Sequence, residues 1–275
     1  MVLARRYASR RRPLPYFYFM DSSPNKLVED LRTYLPEHSI PEALALLADH
    51  FPGRVAFSTS FGLEDQIISH FIFENQLPIK VFTLDTGRNF QETYSTWNKT
   101  LLRYGQPIEV VFPQREAVEQ LMAAKGPNSF YESIDNRKEC CHIRKIEPLG
   151  RALAGQQIWL TGIRAEQSAN RQHMDRAEWD AGHQLVKVHP LFDWTWEQCL
   201  AFAQENGVPM NPLHAKGFVS IGCAPCTRAI APGEDFRAGR WWWEDAAAKE
   251  CGLHATVAEQ PEHQGLDPVV EQVPS

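Results

Sequence analysis

Short apolar runs alternate with longer amphipathic segments through much of the chain, and this alternation predicts the fold. Residues 64–75 form the clearest amphipathic segment, with Ile67, Phe71 and Ile72 on one helical face. Strands and helices that follow each other in this way predict an α/β fold, in which a mostly parallel sheet is flanked by helices and binds ligands at the carboxyl ends of its strands. Strands are predicted at 54–58, 80–84, 108–112, 157–161 and 185–188, and further helices at 91–104 and 115–124.

The segments on either side of this alternation have different patterns. Residues 27–50 have a helical pattern that is interrupted around 36–41, and a capping box opens a further helix at 195–205. Cys199 lies inside that second helix, where we expect it to be a small buried apolar side chain. Residues 207–240 are rich in proline and glycine, which predicts an irregular segment of the kind that binds a cluster.

Composition narrows the class of protein. Hydrophobic residues make up 43% of the 275 residues, enough for a sizeable core, and the formal net charge is -6. A net acidic chain is atypical of general nucleic-acid binding, which favours a basic surface. No run of about 18 apolar residues occurs, so the sequence predicts no membrane-spanning helix. Without a secretory signal either, we expect a cytoplasmic protein that binds neither nucleic acid nor membrane.

Both ends of the chain differ from the middle. Residues 1–19 contain five arginines and no acidic residue. We expect a disordered extension or an upstream start before Met20, although organelle transit peptides have a similar composition. Residues 255–275 are polar, with three prolines, and are expected to be a disordered tail. Residues 20–254 form a single predicted domain, and its final segment, about 236–254, contains an isolated cysteine.

Four of the six cysteines form two close pairs. Cys140 and Cys141 are adjacent, and Cys223 and Cys226 are separated by two residues. Thiolates in two such pairs suit a metal ion or an iron–sulfur centre. Zinc is one alternative, but zinc sites usually separate paired cysteines by two to four residues, which disfavours the adjacent pair. A disulfide framework suits small secreted domains better than a chain of this length.

A further cysteine, Cys251, stands alone near the C-terminus between Lys249 and His254. Neighbouring cations lower the pKa of a thiol and so increase its thiolate fraction, which suits a nucleophile. The alternative is a buried structural thiol, which the polar neighbours disfavour. We therefore expect the cysteine pairs to build a site and Cys251 to attack a substrate there.

Two loops at predicted strand ends suit a nucleotide. The first, 58–65, leads small hydroxyl residues and a glycine into a helix N-terminus, where backbone N–H groups can face an anion. The second, 84–88, has a glycine that lets a flat ring approach the backbone. Ordinary turns are the alternative for both loops, and the first is not a Walker A sequence. The candidate binding residues of these loops are Ser58, Ser60, Gly62, Leu84, Asp85, Gly87 and Arg88.

Two arginine pairs point to an anionic substrate. Arg164 and Arg171 follow the fourth predicted strand, and Arg237 and Arg240 follow the second cysteine pair. The planar guanidinium group binds phosphate and sulfate through parallel hydrogen bonds. A single arginine is usually a solvated surface group, but four in these positions favour an oxyanion.

These motifs together resemble the assimilatory sulfonucleotide reductases, and specifically the iron–sulfur-containing adenosine 5′-phosphosulfate (APS) reductases. The matching segments span residues 58–254, and the cysteine pairs with the terminal Lys-Glu-Cys-Gly-Leu-His are the most specific of them. The resemblance implies an adenine-nucleotide α-hydrolase-like (PP-loop) fold, with thioredoxin or a glutaredoxin-like protein as reductant. It also implies a [4Fe–4S] cluster on Cys140, Cys141, Cys223 and Cys226. Relatives are often homo-oligomers, and those that use the 3′-phosphorylated substrate (PAPS) commonly lack the four cysteines.

The activity that the resemblance implies is reduction of APS to sulfite and AMP in sulfate assimilation. Cys251 would attack the sulfate sulfur to give an S-sulfocysteine, from which thioredoxin would release sulfite. The two loops would hold ribose and adenine, and His254 is a further candidate at the reacting end. The expected ligands of the phosphosulfate are Lys145, Arg237 and Arg240, with Arg164 and Arg171 sharing this role or holding the ribose side.

Lys145 supports a separate hypothesis. It follows Cys141 by four residues, so an α-helix through the motif would place both side chains on one face. The lysine would then contact a cluster thiolate and the substrate together. Such contacts would give the cluster an electrostatic role without electron transfer.

Three alternatives stay open. A PAPS or dual-specificity reductase would differ in its relative rates on the two nucleotides. An ATP pyrophosphatase-type enzyme usually has Ser-Gly-Gly-x-Asp-Ser in its first loop, which the Ser-Thr-Ser-Phe-Gly-Leu sequence at 58–63 does not match. A non-catalytic nucleotide- or cluster-binding regulator would have no use for Cys251.

Overall fold

The structure is a computed structural model of the chain, and it describes residues 23–168, 171 and 173–244. The predicted extension 1–19 and the predicted tail 255–275 lie outside the described residues. Cys251 and His254, with their predicted roles, also lie outside them.

A single mixed sheet at the centre of the described residues confirms the predicted α/β fold. Its strands are β1 (Val55–Ser58), β2 (Lys80–Leu84), β3 (Glu109–Val111), β4 (Ile158–Leu160), β5 (Ala177–Asp180) and β6 (Leu185–Val188). They follow the order β3-β2-β1-β4-β6-β5. Neighbours in this order are parallel, except that β5 runs antiparallel to β6.

The β5 strand is not predicted by the hydrophobic pattern, because two of its four residues are acidic. Asp180 is nevertheless buried, and it pairs with Lys187 Nζ at 2.8 Å and with His183 Nδ1 at 3.1 Å. Burial alone would raise the pKa of the Asp180 carboxyl, but the hydrogen bond from His183 and the charge of Lys187 hold it below its usual range. Tertiary pairing, rather than an apolar stripe, therefore specifies this strand.

Eight α-helices surround the sheet in the described part of the chain. They are α1 (Pro24–Tyr34), α2 (Ile40–His50), α3 (Leu63–Glu74), α4 (Gln91–Tyr104), α5 (Arg115–Lys125), α6 (Ile134–Cys141), α7 (Glu147–Leu153) and α8 (Trp196–Glu205). The predicted interruption of the first helical segment is a 3₁₀ turn, Leu35–Glu37. The predicted capping box is confirmed, since Thr195 Oγ1 accepts a hydrogen bond from Gln198 N at 3.1 Å. No helix among the described residues has the length and apolarity that a bilayer crossing requires.

The helix α6 continues through a π-helix, His142–Ile146, directly into α7. Ser133 is the N-cap of α6, and its hydroxyl accepts a hydrogen bond from Asn136 N at 3.1 Å. The sequence of α6 is polar and has no apolar stripe, so the hydrophobic pattern does not reveal it. The segment that contains Lys145 is therefore a π-helix and not the α-helix that the expected spacing assumed, and a shared face for Cys141 and Lys145 stays a prediction.

Two apolar layers, one on each face of the sheet, determine where a ligand can bind. Val55 and Phe57 of β1 pack in a large layer with α1, α2, α3 and α8, whereas Ala56 packs on the opposite face with α7. Alternate residues of a strand point to opposite faces, so β1 is buried on both sides. Because helices cover both faces, the cavity forms at the carboxyl ends of the strands.

Candidate functional site

A cavity of about 220 Å³ lies at the carboxyl ends of β1, β2 and β4. Its walls come from the loops after these strands, from the π-helix and from the irregular segment before residue 240. Four predicted substrate-binding residues that the structure describes do not line the cavity: Asp85, Gly87, Arg88 and Arg164. The structure brings together eight of the predicted substrate-binding residues and one predicted cluster ligand, Cys223: the eight are Ser58, Ser60, Gly62, Leu84, Lys145, Arg171, Arg237 and Arg240.

A carboxylate of α3 holds the loop between β1 and α3 in its conformation. Ser60 donates from its backbone N at 2.6 Å and from its hydroxyl at 2.7 Å, both to Asp65 Oδ2 in the first turn of α3. Phe61, at the tip, has a φ of 60°, in the left-handed region that bulky residues rarely adopt. Its buried ring stacks on Trp97 with 5.5 Å between centroids, which holds the loop in this conformation.

Glu64 and Asp65 give this end of the cavity an acidic character. Both line the cavity at the N-terminus of α3. Burial raises the pKa of Asp65 to about 6, although the hydrogen bonds from Ser60 lower it. The backbone N–H of Ser60, expected to face an anion, is already bonded to Asp65. Sugar hydroxyl groups therefore fit this end better than a phosphate does.

The loop after β2 is organised around Asp85, which is buried behind the cavity wall. Asp85 Oδ1 accepts hydrogen bonds from Gly87 N and from the Tyr94 hydroxyl, both at 2.9 Å. Burial, together with this carboxylate, raises the pKa of Tyr94 to about 12. Gly87 has a φ of 71°, which a glycine adopts without strain. The Arg88 guanidinium lies over the Phe130 ring, 4.9 Å from its centroid. Asp85, Gly87 and Arg88 thus shape the loop.

Arg164 is fully buried in an ion-pair network next to the cavity. It pairs with Glu64 Oε1 at 2.8 Å and with Glu166 Oε2 at 2.5 Å. Gln167 Nε2 donates to the same Glu64 oxygen at 3.0 Å, and Gln167 Oε1 accepts a hydrogen bond from Arg171. Arg171 is the member of this arginine pair that faces the cavity, and Arg164 acts on it through Glu64 and Gln167.

The two cysteine pairs approach each other beside the loop after β2. Cys223 is buried, and its Sγ lies 3.3 Å from Thr86 Oγ1. The carbonyl oxygen of Thr86 accepts a hydrogen bond at 2.7 Å from Arg144, four residues after Cys140. Cys226 ends the 3₁₀ turn that follows Cys223. The loop therefore ties the segments that carry both cysteine pairs.

The ionisation of these thiols is coupled. Burial raises the pKa of Cys226 to about 12; negative charge on Cys223 and Cys140 adds to this rise, whereas Lys145 and Arg240 oppose it. Burial also raises the pKa of Cys140. Cys226 is therefore near two other cysteines and near two cations that line the cavity. Both thiols stay protonated at neutral pH unless a metal or cluster displaces their protons.

The remaining cysteine of the pairs, Cys141, is partly buried at the end of α6. Among the described residues, no three His, Cys, Asp or Glu side chains converge as ligands for one metal ion. In an iron–sulfur cluster each thiolate binds a separate iron atom, so its thiols surround the cluster rather than converge on one point. The four thiols are candidate ligands for such a cluster.

Several lining residues are not identified by the sequence patterns. Trp159 lies within a predicted buried strand, yet its Nε1 donates to Ser58 Oγ at 2.8 Å on the cavity wall. Gly222 packs so closely against Arg240 that a Cβ at this position would collide with the guanidinium group. The glycine directly before Cys223 is the one signal in the sequence that could have indicated this contact. Other lining residues of this kind are Asn89, Thr93, His214, Ile221 and Phe236.

Known proteins are similar in sequence to most of this chain. Residues 54–229 match the family model described as the phosphoadenosine phosphosulfate reductase domain. An adenosine 5′-phosphosulfate reductase of Agrobacterium fabrum is 50% identical over 208 residues, which are 76% of this chain and 80% of that protein. A protein of the same name from Burkholderia cepacia is 50% identical over 204 residues, 74% of this chain and 82% of that protein.

Solved structures agree with the sequence comparison. The phosphate complex of phosphoadenylyl-sulfate (PAPS) reductase from Candida auris superimposes with a TM-score of 0.65 at 28% identity. The match covers 76% of this chain and 98% of that chain. The predicted fold and the predicted membership of the sulfonucleotide reductases are thereby confirmed. With the nucleotide-type loops and both cysteine pairs inside the matched region, the chain belongs to the phosphoadenosine phosphosulfate reductase domain family.

Proposed function

We propose that the chain reduces APS to sulfite and AMP in sulfate assimilation. One observation carries the proposal: Lys145, Arg237 and Arg240 line a single cavity at the carboxyl ends of the sheet, beside the two cysteine pairs. Three cations around one cavity suit a doubly charged phosphosulfate. The relatives that are 50% identical to the chain are named APS reductase, which supports this substrate.

The two ends of the cavity suggest how the nucleotide lies. The carboxylate of Asp65 and the hydroxyl groups of the first loop suit the ribose, and Leu84 offers an apolar contact to adenine. The phosphosulfate would then lie between Lys145, Arg237 and Arg240. Arg171, oriented by Gln167, is placed to assist on the side of Glu64.

The proposed nucleophile is Cys251. Its thiolate forms a bond to the sulfate sulfur while the bond from that sulfur to the phosphate oxygen breaks, and AMP leaves with the electron pair. Lys145, Arg237 and Arg240 offset the repulsion between the thiolate and the anion, and they stabilise the charge that grows on AMP. A thioredoxin thiolate then attacks the Cys251 sulfur, and sulfite leaves with the electron pair. The second thioredoxin thiol breaks the mixed disulfide, so thioredoxin is oxidised.

We further propose a [4Fe–4S] cluster on Cys140, Cys141, Cys223 and Cys226. The donor set fits, because it consists of thiols alone and three of them are close enough to influence each other's charge. A bound cluster would supply a compact charged group beside Lys145. The lysine itself would hold the substrate anion, in keeping with an electrostatic role for the cluster.

A PAPS or dual-specificity reductase is the second candidate, and the likeness to the Candida auris enzyme favours it. The four cysteines favour APS. We expect kcat/KM to be higher for APS than for PAPS, and the reverse order would establish the second candidate. The proposed reductant is thioredoxin or a glutaredoxin-like protein, which turnover with each of them would test. We also propose a cytoplasmic homo-oligomer, and gel filtration would test its oligomeric state.

The decisive experiment is an intact mass of the anaerobically purified protein after incubation with APS and no reductant. We expect an adduct of the mass of SO₃, which is lost on adding thioredoxin. Cys251→Ser should form no adduct. Cys199→Ala is the matched control, since that thiol is buried in α8, and it should form the adduct normally. A cluster-loaded protein without an adduct would contradict the proposal.

A further inference from the structure

The guanidinium groups of Arg237 and Arg240 share one buried indole. Arg240 Cζ lies 5.0 Å and Arg237 Cζ lies 5.9 Å from the ring centroid of Trp241. A third guanidinium, that of Arg137, lies 4.7 Å from the same centroid. Trp241 is only 1% exposed, so the three cation–π contacts form away from water, where they are strongest.

Arg137 is fixed in turn by Glu244. Arg137 Nε donates to Glu244 Oε1 at 2.9 Å, and Arg137 Nη2 donates to Glu244 Oε2 at 2.8 Å. Both side chains are buried, with 2% and 3% exposure. A pair with two parallel hydrogen bonds fixes the plane of the guanidinium group and therefore its contact with the indole.

The backbone of Trp241 connects the indole to the cysteine site. Trp241 N donates to Cys226 O at 3.2 Å. The residue has a φ of 40°, which a bulky side chain adopts only where its surroundings enforce it. The ring is therefore held at one place between the cysteine segment and the arginines.

Arg240 has few other restraints on its orientation. Its guanidinium makes two long hydrogen bonds, to Ser220 Oγ and to Ile221 O, both at 3.3 Å. Its buried Nε has no hydrogen-bond partner among the described residues. The aromatic face is thus a major contact that orients this guanidinium group within the cavity.

We propose that Trp241 is a positioning residue of the anion site. Its indole orients Arg237 and Arg240 toward the phosphosulfate. Arg137, held by its ion pair with Glu244, contacts the same indole and restrains it. The inference rests on the proposed function, because it assumes that these two arginines bind the substrate anion. Neither Trp241 nor Arg137 needs to touch the substrate.

The test compares an anionic with a neutral ligand, so that positioning can be separated from folding. Trp241→Leu is made in a Cys251→Ser parent, which cannot turn over, and the Kd values of APS and of adenosine are measured by calorimetry on cluster-loaded protein. We expect APS to bind about 10-fold more weakly, about 1.4 kcal/mol, while adenosine binding is unchanged. Visible absorbance confirms that the cluster is retained.

The control is Trp243→Leu in the same parent. The Trp243 ring lies 4.4 Å from that of Tyr131 and 6.2 Å from that of Phe130, between centroids. It is a neighbouring tryptophan with a different contact set. The control variant should leave both dissociation constants within about twofold of the parent.

Two milder variants keep the test decisive if Trp241→Leu does not fold. Trp241→Phe retains an aromatic face and should lose only about threefold in APS affinity, and Glu244→Gln should lose a similar factor. Unchanged APS binding in these variants, or an equal loss for adenosine, would overturn the positioning role. Failure of the proposed function would look different, because the Cys251→Ser parent would then bind APS no more tightly than adenosine.

Discussion

Two buried arginine–glutamate pairs support the cavity, and they do so in different ways. Arg164, in the loop after β4, pairs with Glu64 in the first turn of α3, whereas Arg137 of α6 pairs with Glu244, which follows the second cysteine pair in the chain. Both arginines are almost completely buried. Separating a buried ion pair leaves an unpaired buried charge, which is strongly destabilising. Each pair is therefore expected to stay formed and to hold its two segments together.

The difference lies in what each pair holds. The first pair reaches Arg171 through hydrogen bonds of Gln167, which fix direction as well as distance. The second reaches Arg237 and Arg240 through the face of an indole, which restrains a guanidinium group with less directionality. The comparison teaches that directional hydrogen bonds build the proposed ribose side of the cavity, whereas aromatic contacts build the proposed anion side.

The largest expected effect is on stability, where the two pairs should differ. Arg164→Met leaves the Glu64 carboxylate buried without its partner and should lower the free energy of unfolding by about 3–5 kcal/mol. Arg137→Met should cost about 3 kcal/mol, the lower end of the same range, because Arg137 pairs with one carboxylate, that of Glu244, whereas Arg164 pairs with both Glu64 and Glu166. Urea unfolding of the cluster-loaded proteins measures both. Equal losses would show that the second carboxylate partner of Arg164 adds nothing measurable to stability.

The next effect separates catalysis from stability on the anion side. Lys145→Ala should retain the cluster but slow adduct formation in single-turnover experiments by about 10²–10³-fold, about 2.7–4 kcal/mol, since a cation facing the developing charge is lost. Lys125→Ala is the control, because this lysine pairs at 2.7 Å with Glu139 on the cysteine-bearing helix and does not line the cavity. Normal turnover of Lys145→Ala would refute the role of the lysine.

The pH dependence of stability tests the acidic side. The pKa of Asp65, about 6 in the folded chain, lies above the ordinary value of about 3.9 for an unfolded carboxyl group, so the folded state binds this proton more tightly. Its contribution is complete below about pH 4 and is lost as the pH rises to about 6, by at most about 3 kcal/mol. Asp65→Asn should remove this loss. The difference in unfolding free energy between variant and parent should therefore grow from pH 4 to pH 7, and a constant difference would contradict the raised pKa.

The smallest expected effect sharpens the aromatic side of the comparison. In Gly222→Ala the new methyl group would meet the Arg240 guanidinium, the mobile end of a flexible side chain, so we expect the arginine to shift while the fold persists. APS affinity should fall about 5–10-fold, about 1–1.4 kcal/mol. Gly150→Ala is the control, because a Cβ there meets no atom within 4 Å. Equal APS affinity in the two variants would show that the contact does not orient Arg240.

Much of the fold follows from the sequence, and the failures have a common cause. The helices α3, α4 and α5 and the first four parallel strands follow from apolar periodicity, because their burial repeats along the chain. The α6 helix and the β5 strand bury charged residues whose partners are other charged residues: Asp180 of β5 pairs with His183 and Lys187, which are close in sequence. Arg137 of α6 pairs with Glu244, 107 residues away. An argument from apolar periodicity cannot find such elements, since it takes every charged residue as exposed whether or not an ion pair buries it.

The sequence by itself determined the family, the cysteine pairs and the set of cations from which the proposed anion site is built, because these depend on residue type and spacing. Only the tertiary structure decided which cations face the cavity. Arg164 and Arg171 belong to one motif, yet Arg164 is fully buried against Glu64 and Arg171 lines the cavity. The reason is that a guanidinium group can be buried only where a carboxylate pairs with it. For Arg164 that carboxylate belongs to Glu64, 100 residues away in sequence.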